Sequence, residues 1–318
     1  MTDDAAKPTM RAIRQEVLGG PEVLQEVEVD RPEPSFSQVL IKVHAAGLNP
    51  TDWGHRAYGV FLGKPPFILG WDVSGTVEKT GFGVTLLKPG DEVFGMLPYP
   101  FGVGSHAEYV VGPARAFVPK PAGIDHVTAG ALPLAALTAW QALNDTAHLT
   151  AGQKVLIHAA AGGVGHLAVQ IAAAKGAYVI GTASARNHEM LRALGADELI
   201  DYTTTDFTEA VSDVDVVLDP ISGDYSARSL RTLKPGGMLV SLLPFAPEIP
   251  AEAAGIGVRA ELMLVEYDHQ GMTEIAALVT DGKLRPVIAA TFPLAGVAKA
   301  HELGETRHVA GKLVLTMS

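Results

Sequence analysis

The stretch Lys154 to Lys175, KVLIHAAAGGVGHLAVQIAAAK, constrains the fold of this chain more than any other. A short apolar strand runs into Ala160-Ala161-Gly162-Gly163-Val164-Gly165 and then directly into an amphipathic helix. This is the spacing of a dinucleotide-binding turn, with Ala160 in the first glycine position. Gly162 lets the backbone approach a pyrophosphate, and Gly165 lets the helix pack closely on its strand. The helix N-terminus then offers free N–H groups and the positive end of its dipole to phosphate. A mere tight turn would need neither the apolar strand before it nor the helix after it.

The end of the next strand, Tyr178–Thr182, selects the dinucleotide. An NAD site places an acid there, about 20 residues beyond the first glycine, to hold the ribose 2′-hydroxyl. Here Gly181-Thr182-Ala183-Ser184-Ala185-Arg186 contains no acid. Ser184 and Arg186 instead suit a 2′-phosphate through charge-assisted hydrogen bonds, so the turn reads as an NADP(H) site. The plainer alternative leaves Arg186 as a solvated residue at a helix start. Tyr202, just after the third strand, either lies against the same phosphate or caps the sheet edge.

Around this turn the pattern is two-part. Apolar strands alternate with helices from about 122 to 283, including VDVVLD at 214–219, which predicts a parallel sheet covered on both faces. One long helical stretch is expected at Thr128–Leu143. Residues 1–121 and 284–318 read as short strands between Gly/Pro turns, a small irregular barrel interrupted by the α/β domain. A length of 318 residues fits two domains, since single cores stop growing near ~250–300 residues.

Composition removes whole classes of function. With 24 Lys+Arg against 35 Asp+Glu the net charge is −11, which argues against a nucleic-acid partner. No cysteine is present, so disulfides, thiolate catalysis and Cys-ligated metals are excluded. None of the 11 histidines forms H-x-x-x-H or H-E-x-x-H, and His301 and His308 have no third ligand near them, so no metal site is expected. His158, ending the first α/β strand, reads as a structural neighbour of the turn. Walker A and G-x-S-x-G sequences are missing, which removes P-loop phosphoryl transfer and Ser-based acyl transfer. No apolar run approaches the ~20 residues of a membrane span, so no membrane partner is expected. The opening Met1-Thr2-Asp3-Asp4 is acidic and unlike a secretory signal, and a cytoplasmic location is expected.

Several stretches, in order along the chain, carry a family resemblance: Leu48-Asn49-Pro50-Thr51-Asp52-Trp53, Leu69-Gly70-Trp71-Asp72, Lys88-Pro89-Gly90-Asp91-Glu92-Val93, Gly104-Ser105-His106-Ala107-Glu108-Tyr109, Ala136-Leu137-Thr138-Ala139-Trp140 and Gly311-Lys312-Leu313-Val314-Leu315. Together with the A-A-G-G-V-G turn, the chain resembles the medium-chain dehydrogenase/reductase superfamily, and within it the zeta-crystallin-like quinone oxidoreductases. The resemblance implies a Rossmann-type doubly wound parallel sheet domain inserted in a GroES-like irregular β-barrel domain. Zinc-dependent members carry Gly-His-Glu where this chain has Gly70-Trp71-Asp72, and they need a catalytic Cys; the departure looks like the zinc-free branch.

The same resemblance implies hydride transfer from NADPH to a small-molecule quinone or other conjugated carbonyl. It places Asn49 and Thr138 by the nicotinamide, Gly162, Gly163 and Val164 at the pyrophosphate, and Ser184, Arg186 and Tyr202 at the 2′-phosphate. Leu242, Leu243 and Pro244 fall near the nicotinamide ribose, and Lys312 joins the cofactor cleft. Asp52, Trp53, Tyr58 and Trp71 are substrate-pocket candidates, with Tyr58 also a candidate proton donor. Each has a plainer reading: Asn49 pins the turn before Pro50, Thr138 back-bonds within its helix, and the tryptophans pack a wall. A homodimer is implied, pairing near Gly237–Leu243 and Val258–Glu266. The rival functions are an enal/enone double-bond reductase and an NADPH-binding sensor or structural protein with little turnover.

Overall fold

The computed structural model describes residues 7–317; the acidic opening Met1–Asp4 lies outside them. The chain forms two compact units. One comprises residues up to Leu134, Glu266–Thr280 and Ile288 onward; the other comprises Ala135–Val265 and Asp281–Val287.

The first unit is built on strands β1 (Thr9–Gln15), β2 (Gln25–Asp30), β3 (Gln38–Leu48), β4 (Phe67–Ile68), β5 (Asp72–Thr80), β6 (Glu92–Met96), β7 (Tyr109–Pro113) and β8 (Phe117–Pro119). To these the end of the chain adds β15 (Ile288–Pro293) and β16 (Lys312–Thr316). A three-stranded sheet runs β2-β1-β4, and a larger one runs β15-β16-β3-β5-β6-β8 with β7 also on β3. β3, QVLIKVHAAGL, is buried along most of its length because it pairs with β16, β5 and β7. Gly47 on β3 is required by packing: a Cβ there would lie 2.4 Å from the Asp72 carboxylate and 2.6 Å from the Gly130 carbonyl. The helices of this unit are α1 (Pro50–Tyr58), α2 (His126–Gly130), α9 (His269–Thr280) and α10 (Val297–Glu305). α2 packs on β3 and β5, and α9 on β8.

The second unit holds β9 (Lys154–Ile157), β10 (Tyr178–Thr182), β11 (Glu198–Ile200), β12 (Val214–Asp219), β13 (Leu233–Ser241) and β14 (Arg259–Leu262). They form one sheet, parallel throughout, in the order β11-β10-β9-β12-β13-β14. Counted from its own first strand this is 3-2-1-4-5-6, the doubly wound nucleotide-binding order, with the switch point between β9 and β12. Every residue of β12 is buried, its two aspartates Asp215 and Asp219 included. One face of the sheet gathers Leu156, Ile180, Val217 and Leu239 with Phe207 and Leu230 into a core. The helices are α3 (Pro133–Trp140), which enters from the first unit, α4 (Gly165–Ala174), α5 (His188–Ala193), α6 (Phe207–Ala210), α7 (Asp224–Leu230) and α8 (Ile249–Gly255).

The single helix expected over Thr128–Leu143 is broken. Asp125 caps α2, accepting the Thr128 N–H, and α2 stops at Gly130. Pro133 disfavours helical geometry in the residue before it and restarts the chain as α3. A π-helical turn at Gln141–Thr146 then closes the segment.

Candidate active site

In the second unit β9 delivers the chain to the glycine turn at the carboxyl edge of the sheet. A Cβ on Gly165 would lie 2.3 Å from the Ala159 carbonyl and 2.8 Å from the Ala160 Cα, so only glycine lets α4 start this close to its strand. The Gly162 N–H bonds back to Ala159 O at 2.8 Å, and Ala160 N–H to Thr182 O at 2.9 Å. A helix N-terminus leaves its first N–H groups without intrahelical partners, which is what a pyrophosphate takes. The residues fit a dinucleotide.

Two histidines brace this turn. His158 is buried, bonded to Thr182 Oγ1 at 3.2 Å and Ser229 Oγ at 2.9 Å, and edge-on to Phe207. Burial pulls its imidazole down to about 4, so it stays neutral and structural. His166 donates from Nδ1 to the Gly162 carbonyl at 2.7 Å and accepts the Val287 N–H on Nε2 at 3.1 Å. Sequence reading missed His166; its place one residue after the last glycine was the available signal.

Ser184 is half-buried and Arg186 exposed, on the short turn that follows β10. Arg186 has no ion pair among the described residues. Tyr202 is half-exposed beyond β11. Across the switch point, Asp219 at the end of β12 accepts the N–H groups of Ile221 and Ser222 and the Ser226 hydroxyl. Ser222 in turn donates to Pro244 O at 2.5 Å, and Leu242 N–H bonds to Asp219 O, so the loop Leu242-Leu243-Pro244 is fixed to the same edge. Asp219 was not anticipated from sequence. Thr138 lies buried in α3.

In the first unit Asn49, Asp52 and Lys312 come together, with Asp72 as an unanticipated fourth member. Asn49 follows β3 and caps α1; Pro50 occupies the first helical position, and Asp52 reaches back to accept the Asn49 N–H at 2.7 Å. The Asn49 carboxamide is held at both ends. Its Oδ1 accepts from the Lys312 ammonium, and its Nδ2 donates to Asp72 Oδ2 at 2.9 Å. Lys312 also donates to Leu48 O at 2.9 Å and lies 3.6 Å from Asp72, whose other oxygen takes the Leu134 N–H at 2.6 Å.

All four side chains are buried. Burial pushes the Asp72 carboxyl up and the Lys312 ammonium down, each opposed by the other's charge. Asp52 is pushed up to about 8 by burial, against the Asn49 hydrogen bond, with the nearby Asp72 charge raising it further.

The other pocket candidates fall elsewhere. Trp71 is wholly buried, tilted against His55 and Tyr99 with ring centroids 5.1 and 5.4 Å away, and its indole N–H points to Pro100 O. Trp53 lies over Gly304 and edge-on to His301. Tyr58, the last residue of α1, is 81% exposed and stands apart from the Asn49 group.

Residues 35–122 match the alcohol dehydrogenase GroES-like domain, and residues 194–315 match a family described as zinc-binding dehydrogenase. The chain is 33% identical to the quinone oxidoreductase of Rattus norvegicus, covering 96% of each chain. The chain belongs to the quinone oxidoreductase family of medium-chain dehydrogenases/reductases. It is also 36% identical to the chloroplastic NADPH-dependent alkenal/one oxidoreductase of Arabidopsis thaliana, over 99% of this chain and 82% of that one. The quinone oxidoreductase structure from Coxiella burnetii superposes with a TM-score of 0.92 at 40% identity, over 98% of this chain and 100% of that one. As a quinone oxidoreductase family member the chain has the mixed α/β architecture its motifs imply, with a parallel nucleotide-type sheet in one unit and a GroES-like domain. No group of three His, Asp or Glu that could hold a metal occurs among the described residues.

Proposed function

We propose that this chain is an NADPH-dependent oxidoreductase that reduces quinones or other conjugated carbonyls without zinc. The observation that carries the reading is the Ala160–Gly165 turn at the sheet's switch point, followed by a β10 end with Ser184 and Arg186 and no acid. The names of the relatives supply the acceptor class. NADPH, when bound, supplies the hydride; the chain's own residues bind, orient and exclude water.

Gly162, Gly163, Val164 and Gly165 take the pyrophosphate on the N-terminus of α4, while Ser184, Arg186 and Tyr202 take the 2′-phosphate. Asn49, Lys312 and Thr138 serve the nicotinamide end, with Leu242-Leu243-Pro244 beside its ribose. Because Lys312 and Asp72 fix the Asn49 carboxamide, one Nδ2 hydrogen keeps a defined direction for a substrate or cofactor oxygen. Tyr58 is kept as a proton-donor candidate, and Asp52, Trp53 and Trp71 as parts of the substrate wall.

Zinc independence is supported by the donor chemistry: an indole cannot ligate zinc, and the chain has no cysteine. Without a Lewis acid a simple ketone lacks polarisation, whereas a conjugated acceptor needs none. We also place a second copy on the exposed edge of β14, supported by Leu262 and Leu264, both about half-exposed there.

The test is oxidation of NADPH and of NADH over a panel of quinones, enals and simple ketones, with zinc content measured alongside. Preferred NADPH with quinone turnover supports the reading. Faster enal and enone turnover favours double-bond reduction, to which the 36% identity with the alkenal/one oxidoreductase points. NADPH binding with no turnover on any acceptor overturns it in favour of a sensor.

A further inference from the structure

The end of β10 carries no acid, but the end of the neighbouring strand does. β11 runs parallel to β10 with Thr182 beside Ile200, and the Ala183 N–H bonds to Ile200 O at 3.0 Å. Asp201 therefore leaves the sheet alongside Ser184 and Ala185. Its carboxylate is fixed by a turn of its own. Oδ1 accepts the Thr203 N–H at 3.0 Å and the Thr203 hydroxyl at 2.7 Å, while the Asp201 carbonyl takes the Thr204 and Thr205 N–H groups at 3.1 and 2.9 Å.

The Thr203 donors and the Ala185 N–H hold the Asp201 carboxyl below the ordinary carboxylate range, so it is ionised at neutral pH. The Ala185 amide belongs to the Ser184–Arg186 turn, which puts the charge against the same turn that carries the guanidinium. No Lys or Arg is ion-paired with Asp201 among the described residues. A basic group that acts on it is His188, whose Nε2 donates to Ala183 O at 3.0 Å. A carboxylate has about four acceptor positions, and the three donors from Thr203 and Ala185 leave room for one more. A nucleotide ribose at this turn thus meets both a cation and an acid: a 2′-hydroxyl can donate to the acid, and a 2′-phosphate is repelled by it.

We propose that Asp201 is a cofactor-selectivity residue: brought to the Ser184–Arg186 turn from the neighbouring strand, its carboxylate opposes the 2′-phosphate that Arg186 attracts and accepts a 2′-hydroxyl. The chain then takes NADH as well as NADPH, with only a modest preference for NADPH. This rests on the cofactor reading above, and it assigns the role of the acid missing from β10 to a residue of β11's end. Spacing along the chain does not reveal it, because the pairing of two parallel strands, and not distance in sequence, brings Asp201 to the turn.

The test is fluorescence titration of NADPH and NADH on the wild type, Asp201→Asn and Asp201→Ala, at low and high salt. The Asn amide keeps an acceptor for the Thr203 and Ala185 donors, so the turn stays in place while the charge goes; Ala removes the same charge without adding an amide. One unit charge near contact with another in water is worth a factor of about 5 in affinity. NADPH should therefore bind about 5-fold more tightly to both variants and NADH no more tightly, and the gain should shrink at about 1 M salt, where charges are screened within roughly 3 Å. An unchanged NADPH-to-NADH ratio overturns the proposal, as does an equal loss for both nucleotides, which marks a merely structural part. A ratio that moves in only one variant traces to the new side chain and not to the lost charge, and overturns it too. So does a wild type that binds NADPH and excludes NADH. In each of these cases the cofactor reading stands; a wild type that binds neither nucleotide overturns that reading, and the role of Asp201 with it.

Discussion

At the scale of single residues, what was legible in the sequence is what acts through local geometry. Gly162, Gly165 and Arg186 carry their meaning in spacing from a strand end, and the structure places each in that local setting. Arg186 gives the sharpest local prediction. On the proposed cofactor reading, Arg186→Ala removes a charge-assisted bond to the 2′-phosphate worth about 1.5–3 kcal/mol, so NADPH should bind about 10- to 100-fold more weakly while NADH is nearly unaffected. Fluorescence titration of both nucleotides reads this directly. The Asn49 group was only half legible, because Lys312 is 263 positions away from Asn49 and Asp72 enters from another strand. No periodicity or spacing links such partners; only the fold does. Lys312→Met should cost about 3 kcal/mol, as expected for half of a buried ion pair, because Asp72 is left without its cation. The loss should be larger at pH 8 than at pH 5, since Asp72 is already pushed toward its neutral form and takes a proton readily at low pH. Urea unfolding at the two pH values checks it.

At the scale of elements, the first parallel strands were legible because they are short, largely apolar runs, as KVLI of β9 and YVIGT of β10 are. The segment Thr128–Leu143 was misread because its apolar residues keep a helical period across a break made by Gly130 and Pro133. Periodicity reports which face is buried; Pro133 decides where one helix ends and the next begins. The contact between α4 and β9 is where element packing and binding coincide. Gly165→Ala pushes a methyl against the Ala159 carbonyl, 2.3 Å from its ideal position, so α4 must shift off β9. Overpacking of this kind costs about 1–3 kcal/mol, and the displaced N-terminus should also lose NADPH affinity. A variant with wild-type melting temperature and wild-type NADPH affinity would show that the turn tolerates a side chain.

For the whole molecule, the buried titratable groups set how stability varies with pH, and they pull in opposite directions. His106, His158 and His301 have folded-state values well below their ordinary 6.5, near 3, 4 and 2. The unfolded chain binds their protons first, so their contribution is complete above pH 6.5 and is lost as pH falls. Asp52 behaves oppositely. Its folded value near 8 lies above the ordinary 3.8, so the folded chain holds that proton more tightly and stability is lost as pH rises through 8. Between pH 4 and 6.5 the three histidines outweigh Asp52 and Asp72, whose carboxyls are both raised, and stability rises with pH. From 6.5 to 8 the histidines are silent and Asp52 turns the curve down. The urea midpoint should therefore peak near pH 6.5. Asp52→Asn replaces the titrating carboxyl with an amide of similar shape, so it should flatten the alkaline limb and leave the acid limb in place. A midpoint that keeps falling between pH 6.5 and 8 in that variant would mean that another group, and not Asp52, carries the alkaline loss.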